Sequence, residues 1–377
     1  GLRGQAAGGR AAVKHACAVS TPPRTLAAAG ERILLILVAG IGDFVLSTPA
    51  IRAIAGSHPE AEVTFLTTPQ AADLARPCPH LHEVVSFDLR SYRPGERGAG
   101  WRGWRRFREL TADLRSRRFS LAVNLYEVAT WTGAVRMALL LSRIGAERTA
   151  GRWSRGRGVI FDVRSPDRPH EMEAMLTLSN TLGCRPDDAG PGLWIPESSR
   201  QAAARCLVGV GIAPSSSYTV LHAGSNKPEA CLPEDAAVDI GRRINLATRC
   251  PVLLTGDQRE APLAERLSAR IGSGARSLSG RTDLLELAAI LEGARAAVTT
   301  DSGPMHLAAA AGTPLVVLFG PGEPNRFGPR GRAGQIAILQ GTRYPRDPRR
   351  WHTDIKTDDV LDAFLQRIRG LRAPATN

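Results

Sequence analysis

The sequence predicts an α/β protein built of two doubly wound, parallel-sheet domains that face one cleft, and three observations carry that prediction. Apolar runs of strand length alternate with helical stretches along most of the chain, the grammar of a parallel sheet with helices on its faces. The runs are continuous, as in Ile33 to Val38 and Leu315 to Phe319, which suits strands buried on both sides. The chain of 377 residues is also longer than the roughly 250–300 residues at which a single core stops growing.

The elements follow in order. Arg32 to Ala39 is the first strand; Gly40-Ile41-Gly42-Asp43 ends it, and a helix is expected from about Leu46 to Gly56 with Pro49 in its first turn. Ala61 to Thr67 reads as a strand, Ala71 to Ala75 as a helix and Glu83 to Phe87 as a third strand. Ser91 to Gly103 is expected as a Gly/Arg-rich loop, Trp104 to Ser116 as a helix, Ser120 to Asn124 as a strand and Ala134 to Ile144 as a helix stopped by Gly145. Pro and Gly cluster from Arg185 to Pro196 and mark the crossover. A second cycle places strands at Tyr218 to His222, Pro251 to Leu254, Ala296 to Thr300 and Pro314 to Phe319. Its helices fall at Pro233 to Asn245, Ala261 to Ile271, Leu284 to Glu292 and Met305 to Ala311, with a last amphipathic helix at Thr357 to Arg369. The domains are accordingly set at 31–190 and 191–350, with residues 351–377 as a terminal helix. Residues 1–30, rich in Ala, Gly and Arg, are expected as a disordered extension or a misassigned start, because they lack the apolar stretch of a secretory signal.

Composition narrows the class. With 43% hydrophobic and 23% charged residues the chain is globular, and no apolar run reaches the ~18–20 residues that span a bilayer. The six cysteines have neither C-x-x-C nor metal-ligand spacing and read as reduced thiols of a cytoplasmic protein. The net charge of +13 has two readings, an Arg-favouring codon composition or an anionic partner. Ten arginines lie between Arg90 and Arg118 against Glu96, Glu109 and Asp113. No helix-turn-helix, RNP or zinc pattern accompanies the charge, so no nucleic-acid partner is expected.

Ligands of open α/β sheets sit beyond the carboxyl ends of the strands, and four strand-to-helix loops stand out. Gly40 and Gly42 allow a sharp turn and close approach, and Asp43 can act as a general base or simply cap the next helix; spacing alone favours the cap. His222-Ala223-Gly224-Ser225-Asn226-Lys227 offers a hydroxyl, an amide and a cation, suited to a phosphate or to plain solvation. Thr300-Asp301-Ser302-Gly303-Pro304-Met305-His306 ends a strand and opens an apolar helix whose N-terminus can hold a diphosphate. There Ser302 is either a phosphate donor or an N-cap, and His306 a ligand or a core histidine. In Leu318 to Arg326, Asn325 or Arg326 is in reach of a phosphate, although turn chemistry explains that loop equally well.

From Arg32 to Leu365 the chain resembles glycosyltransferase family 9, the heptosyltransferases of lipopolysaccharide core assembly. Gly42-Asp43-Phe44-Val45-Leu46-Ser47-Thr48-Pro49-Ala50-Ile51-Arg52 is similar to the family's opening motif, and Thr300 to Ala308 with Gly312-Thr313-Pro314 to its nucleotide-sugar signature. The resemblance implies the GT-B type, two Rossmann-like domains with the last helix crossing back to the first. It makes Asp43 the catalytic base, with Gly40, Gly42 and Thr48 on the acceptor side. Ser225, Asn226, Lys227, Glu260, Asp301, Ser302, Gly303 and His306 become donor-binding residues, with Glu260 on the ribose. It further implies inverting transfer with no cofactor and no metal, from a nucleotide sugar, ADP-heptose, to an anionic glycolipid or oligosaccharide acceptor. No Asp-x-Asp occurs in the chain. The family's usual lysine and tryptophan before Pro233 are replaced by Ala230 and Leu232, so either Lys227 reaches the phosphates or another cation does. That departure keeps a second reading open, a nucleotide-sugar-binding protein without transferase activity. Trp101, Trp104 and Phe107 within the arginine-dense stretch are compatible with peripheral contact at the cytoplasmic face of the inner membrane, or with a solvated loop and helix.

Overall fold

A computed structural model describes residues 31–88, 101–342 and 347–370. In them the chain forms two parallel six-stranded sheets. β1 (Arg32–Leu37), β2 (Glu62–Thr67), β3 (Glu83–Ser86), β4 (Leu121–Asn124), β5 (Arg148–Arg152) and β6 (Val163–Ser165) lie in the order 3-2-1-4-5-6. β7 (Thr219–His222), β8 (Val252–Leu254), β9 (Ala275–Ser277), β10 (Ala297–Thr300), β11 (Leu315–Phe319) and β12 (Ile336–Gln340) lie in the order 12-11-10-7-8-9. Ile33 pairs with Val63 on one side and Leu121 on the other; Ala297 likewise pairs with Leu315 and Val220. Each sheet therefore reverses its winding between its first and fourth strands, β1|β4 and β7|β10, and opens a ligand crevice there.

The helices around the first sheet are α1 (Ile41–Ser57), α2 (Pro69–Ala75), α3 (Trp101–Ser116), α4 (Trp131–Ile144) and α5 (Glu171–Thr181). Those of the second half are α6 (Glu197–Gly209), α7 (Glu234–Thr248), α8 (Ala261–Ile271), α9 (Leu284–Gly293), α10 (Gly303–Ala310), α11 (Pro324–Phe327) and α12 (Thr357–Gly370). One apolar cluster runs from Leu35, Phe44 and Met175 of the first half into Val220, Met305 and Leu307 of the second, so the domains share a core where α1 meets α10. The crossover at 185–196 is fastened to α1: Arg52 Nε donates to Asp187 at 2.8 Å, and the Gly192 N–H donates to Thr48 Oγ1 at 3.0 Å.

Three differences from the sequence expectations have physical causes. α1 starts at Ile41, five residues before the expected Leu46. The Gly40 N–H donates to Asp43 Oδ2 at 3.0 Å, which closes the first turn around residues read as loop. Pro49 consequently sits in the helix interior, where it cannot donate to the Val45 carbonyl. Thr48 Oγ1 donates to that carbonyl at 2.8 Å, and the helix continues.

Several elements have no counterpart in the sequence expectations: β5, β6, β9, β12, α5, α6 and α11. β5 (RTAGR) and β9 (ARS) carry little apolar signal, and their extended form comes from pairing with β4 and β8.

The last helix does not cross back to the first domain. α12 lays Val360, Phe364 and Ile368 against α7, β11 and β12 of the second. Trp351, fully buried just before it, donates its Nε1–H to the Glu229 carbonyl at 2.8 Å and pins the chain there. The readings for residues 1–30 and for most of the 91–103 loop fall outside the described residues; at that loop's far end α3 already begins at Trp101.

Candidate functional site

The loops after the first and fourth strands of both sheets converge on one cavity of about 380 Å³. Gly42 and Asp43 enter from α1 and Tyr126 from the turn after β4. Ser225, Asn226 and Lys227 enter after β7, and Asp301, Ser302, Gly303, Met305 and His306 after β10. Pro321, Gly322 and Glu323 after β11 close the wall, with Phe327. Nine of the twelve residues singled out from the sequence line this space; Gly40, Thr48 and Glu260 do not.

Asp43 combines the two roles left open for it. Oδ2 accepts the Gly40 N–H and so ties the N-terminus of α1, while the carboxyl also faces the cavity. Burial pushes its pKa up to about 6; the Gly40 bond opposes this, the Glu171 carboxylate adds to it, and Arg326 and Arg152 counteract it. A carboxyl titrating near 6 is largely ionised at neutral pH and is still basic enough to accept a proton. Tyr126 beside it is held protonated by burial and by the Asp43 and Glu171 charges, so its hydroxyl stays a donor. No local pattern points to Tyr126, since the turn after β4 has no motif.

The opposite wall has anion-binding chemistry. Ser302 is the N-cap of α10, yet its side chain makes no capping bond; its Oγ donates to the Thr300 carbonyl at 3.2 Å. The N-terminus of α10 is thus left uncapped towards the cavity, with its dipole favouring negative charge. Ser225 Oγ donates to the Asp301 carbonyl at 3.2 Å and accepts the Lys227 N–H at 3.2 Å, which ties the β7 and β10 loops together. Burial raises the Asp301 pKa, and the positive charge of Lys227 opposes that shift. Of the two options for the missing family lysine, the geometry therefore brings Lys227 to the cavity, while Ala230 and Leu232 are core residues.

His306 lies where α1 and α10 touch. Burial, followed by the charge of His170, pushes its pKa down to about 3, so the ring is neutral. Its Nδ1 has no hydrogen-bond partner among the described residues, so it is not the satisfied core histidine of the alternative reading. A side chain at position 42 would collide with this ring, and the Gly303 position stands against Ile41. Gly42 is thus required for contact between the domains more than for approach to a ligand.

Other candidates are placed differently from expectation. Thr48 is fully buried, and its hydroxyl is committed to Val45 and Gly192, so it is a structural residue of α1 and not an acceptor contact. Gly40 is the N-cap of α1 and its N–H is taken by Asp43. Glu260 stands behind the β7 loop: Oε2 accepts the Asp257 N–H at 2.9 Å, and the carboxyl fills the space left by Gly224 and Gly256. Asn226 Oδ1 accepts from Arg259 at 3.3 Å.

Arg326 is not directed at a phosphate. It reaches across the cleft to Glu171, at 2.8 Å, and to Glu127. Glu171 is fully buried and also paired with the buried Arg152, whose Nε reaches Asp167 at 3.1 Å. The network holds the second domain against the first beside Asp43, helped by the His170 Nε2 contact to the Gly328 carbonyl at 2.9 Å. None of these carboxylates belongs to a local motif; only the fold brings them together.

Two Rossmann-like domains with crevices facing each other define the GT-B architecture; Asp43 stands on one wall, and a helix N-terminus with a lysine on the other. Residues 107–350 match glycosyltransferase family 9 (heptosyltransferase), and the chain belongs to that family. It is a glycosyltransferase. It is 23% identical over 331 residues to lipopolysaccharide heptosyltransferase 2 of Escherichia coli, covering 82% of this chain and 88% of the relative. It is 26% identical over 323 residues to lipopolysaccharide heptosyltransferase 1 of Pseudomonas aeruginosa, covering 84% and 85%. Among solved structures, the family 9 glycosyl transferase from Veillonella parvula superposes with a TM-score of 0.76 at 18% identity, covering 90% of this chain and 98% of that one. E. coli heptosyltransferase WaaC with ADP superposes with a TM-score of 0.71 at 16% identity, covering 89% and 99%. At these identities the structural likeness speaks for the fold. Among the described residues no helix is long and apolar enough to cross a membrane.

Proposed function

We propose that this glycosyltransferase moves a heptose from ADP-heptose to a lipopolysaccharide core acceptor, by a single inverting displacement that needs no metal. The observation that carries the reading is the cavity that Asp43 of one domain shares with Lys227, Ser225 and the α10 N-terminus of the other. Asp43 accepts the proton of the acceptor hydroxyl as its oxygen bonds to the anomeric carbon. The bond from that carbon to the diphosphate oxygen breaks, and the nucleoside diphosphate leaves with the electron pair. Lys227 and the N–H groups opening α10 stabilise the charge that develops on it. The names of the relatives, lipopolysaccharide heptosyltransferases, support donor and acceptor. The absence of Asp-x-Asp from the 377 residues and the presence of Lys227 support metal-free departure.

The test incubates the purified chain with labelled ADP-heptose and heptose-deficient core oligosaccharide, with and without EDTA. Transfer with inverted anomeric configuration, unaffected by EDTA, is expected. Lys227→Ala should raise the donor KM about 10- to 100-fold, the loss of one charge-assisted hydrogen bond. Donor binding without any turnover would replace this reading with that of a nucleotide-sugar-binding protein.

A further inference from the structure

Among the described residues, the first domain leaves an apolar face uncovered. α4 buries Ala134, Leu141 and Ile144 against the sheet, while Trp131, Val135 and Leu139, at i, i+4 and i+8, are 61%, 69% and 41% exposed. The 3₁₀ segment Ser154–Ile160 packs on α4 and adds the exposed Trp153 and Val159. Of the nine large hydrophobic residues exposed among the described residues, five lie on α3, α4 or this segment, and a sixth, Trp153, directly precedes it. Chance exposure would scatter them over both domains.

The surroundings of this face are basic. Arg105, Arg108 and Arg115 of α3 and Arg143 of α4 line a groove of about 580 Å³ between the helices, opposed among the described residues lining it by Glu109. Arg136 projects from α4 itself. Phe107, which the sequence offered as an inserting residue, is instead buried beneath α3. Trp104 stacks on it with a centroid separation of 5.7 Å, and the Arg143 guanidinium covers Trp104 at 4.8 Å. The apolar contribution therefore comes from α4, and α3 supplies charge.

We infer that the α3–α4 face docks this protein on an anionic bilayer, with Trp131, Val135 and Leu139 entering the headgroup–acyl boundary and the arginines on the phosphates. A stripe of large apolar side chains beside rows of arginine is the signature of a helix lying in the membrane interface. A second copy of the chain fits poorly, because a two-fold contact through this face sets arginine rows against each other. The position also suits a lipid-borne ligand. Trp153 and Val159 flank Arg155, which lines the 510 Å³ cavity between the domains next to the Asp43 site. Docking would thus set the mouth of the cleft at the headgroups.

The experiment is sedimentation of the full chain with vesicles of phosphatidylethanolamine and phosphatidylglycerol (3:1), against phosphatidylcholine alone. Preference for the anionic vesicles, weakening with salt, is expected. Trp131→Ser/Val135→Ser/Leu139→Ser should lower vesicle affinity about 100-fold, and Arg108→Ala and Arg143→Ala about fivefold each. None of these changes should alter nucleotide binding by more than the error, and the triple variant should keep the wild-type melting midpoint. The inference is overturned if the wild type binds both vesicles equally or the triple variant binds like the wild type. It is also overturned if the wild type is a dimer without lipid that the triple variant dissociates, since the face would then belong to a second copy. Because the readout is binding to lipid, it stands or falls separately from the heptose-transfer reading.

Discussion

Replacing Asp43 by Asn tests the site through two independent readouts. Moving the carboxyl from 3.8 to about 6 disfavours its ionised form in the folded state by about 3 kcal/mol. The folded pKa lies above the unfolded one, so this group adds no penalty below about pH 4. The penalty grows as pH rises from 4 to 6 and stays constant above. Asp43→Asn should therefore match the wild type in stability at pH 4 and exceed it by up to about 3 kcal/mol at pH 7, less whatever the Gly40 bond loses. Urea unfolding at pH 4, 5, 6 and 7 reads this directly. Activity should move the opposite way. As proton acceptor, Asp43 gives the wild-type kcat/KM an acid limb centred near pH 6, about tenfold below its plateau at pH 5. Asp43→Asn should lose about 10²- to 10⁴-fold and show no such limb. A flat wild-type profile from pH 5 to 8, or a variant retaining more than about a tenth of the activity, would refute the assignment. A stability advantage over the wild type that is no larger at pH 7 than at pH 4 would refute the burial argument.

Thr48→Val should lower stability by about 1–3 kcal/mol, since it strands the Val45 carbonyl and the Gly192 N–H. The donor KM should not move; a large KM change would return Thr48 to the ligand. Phe364→Ala should cost about 3–5 kcal/mol by opening a cavity under α12. Hydrogen exchange should then deprotect β11 and β12 while β1 to β3 keep their protection; the reverse pattern would mean that α12 secures the first domain.

The sequence alone determined the fold class and most of the site. Continuous apolar runs such as Ile33 to Leu37 and Leu315 to Phe319 have few ways to be buried other than as central parallel strands, and their order sets where the crevices open. The motif around Asp43 follows β1 and Asp301 to His306 follows β10, so their convergence on one cavity could be expected. What the sequence missed was what neighbours decide. β5 and β9 become strands through the partners beside them, and Pro49 stays inside α1 through the Thr48 hydroxyl. α12 goes to the second domain because Trp351 is anchored at Glu229. The Arg326–Glu171–Arg152 network and Tyr126 join residues far apart in sequence, and no local pattern records such pairs. The pKa of Asp43 is tertiary for the same reason: burial and its charged neighbours set it, and both exist only once the two domains have closed on each other.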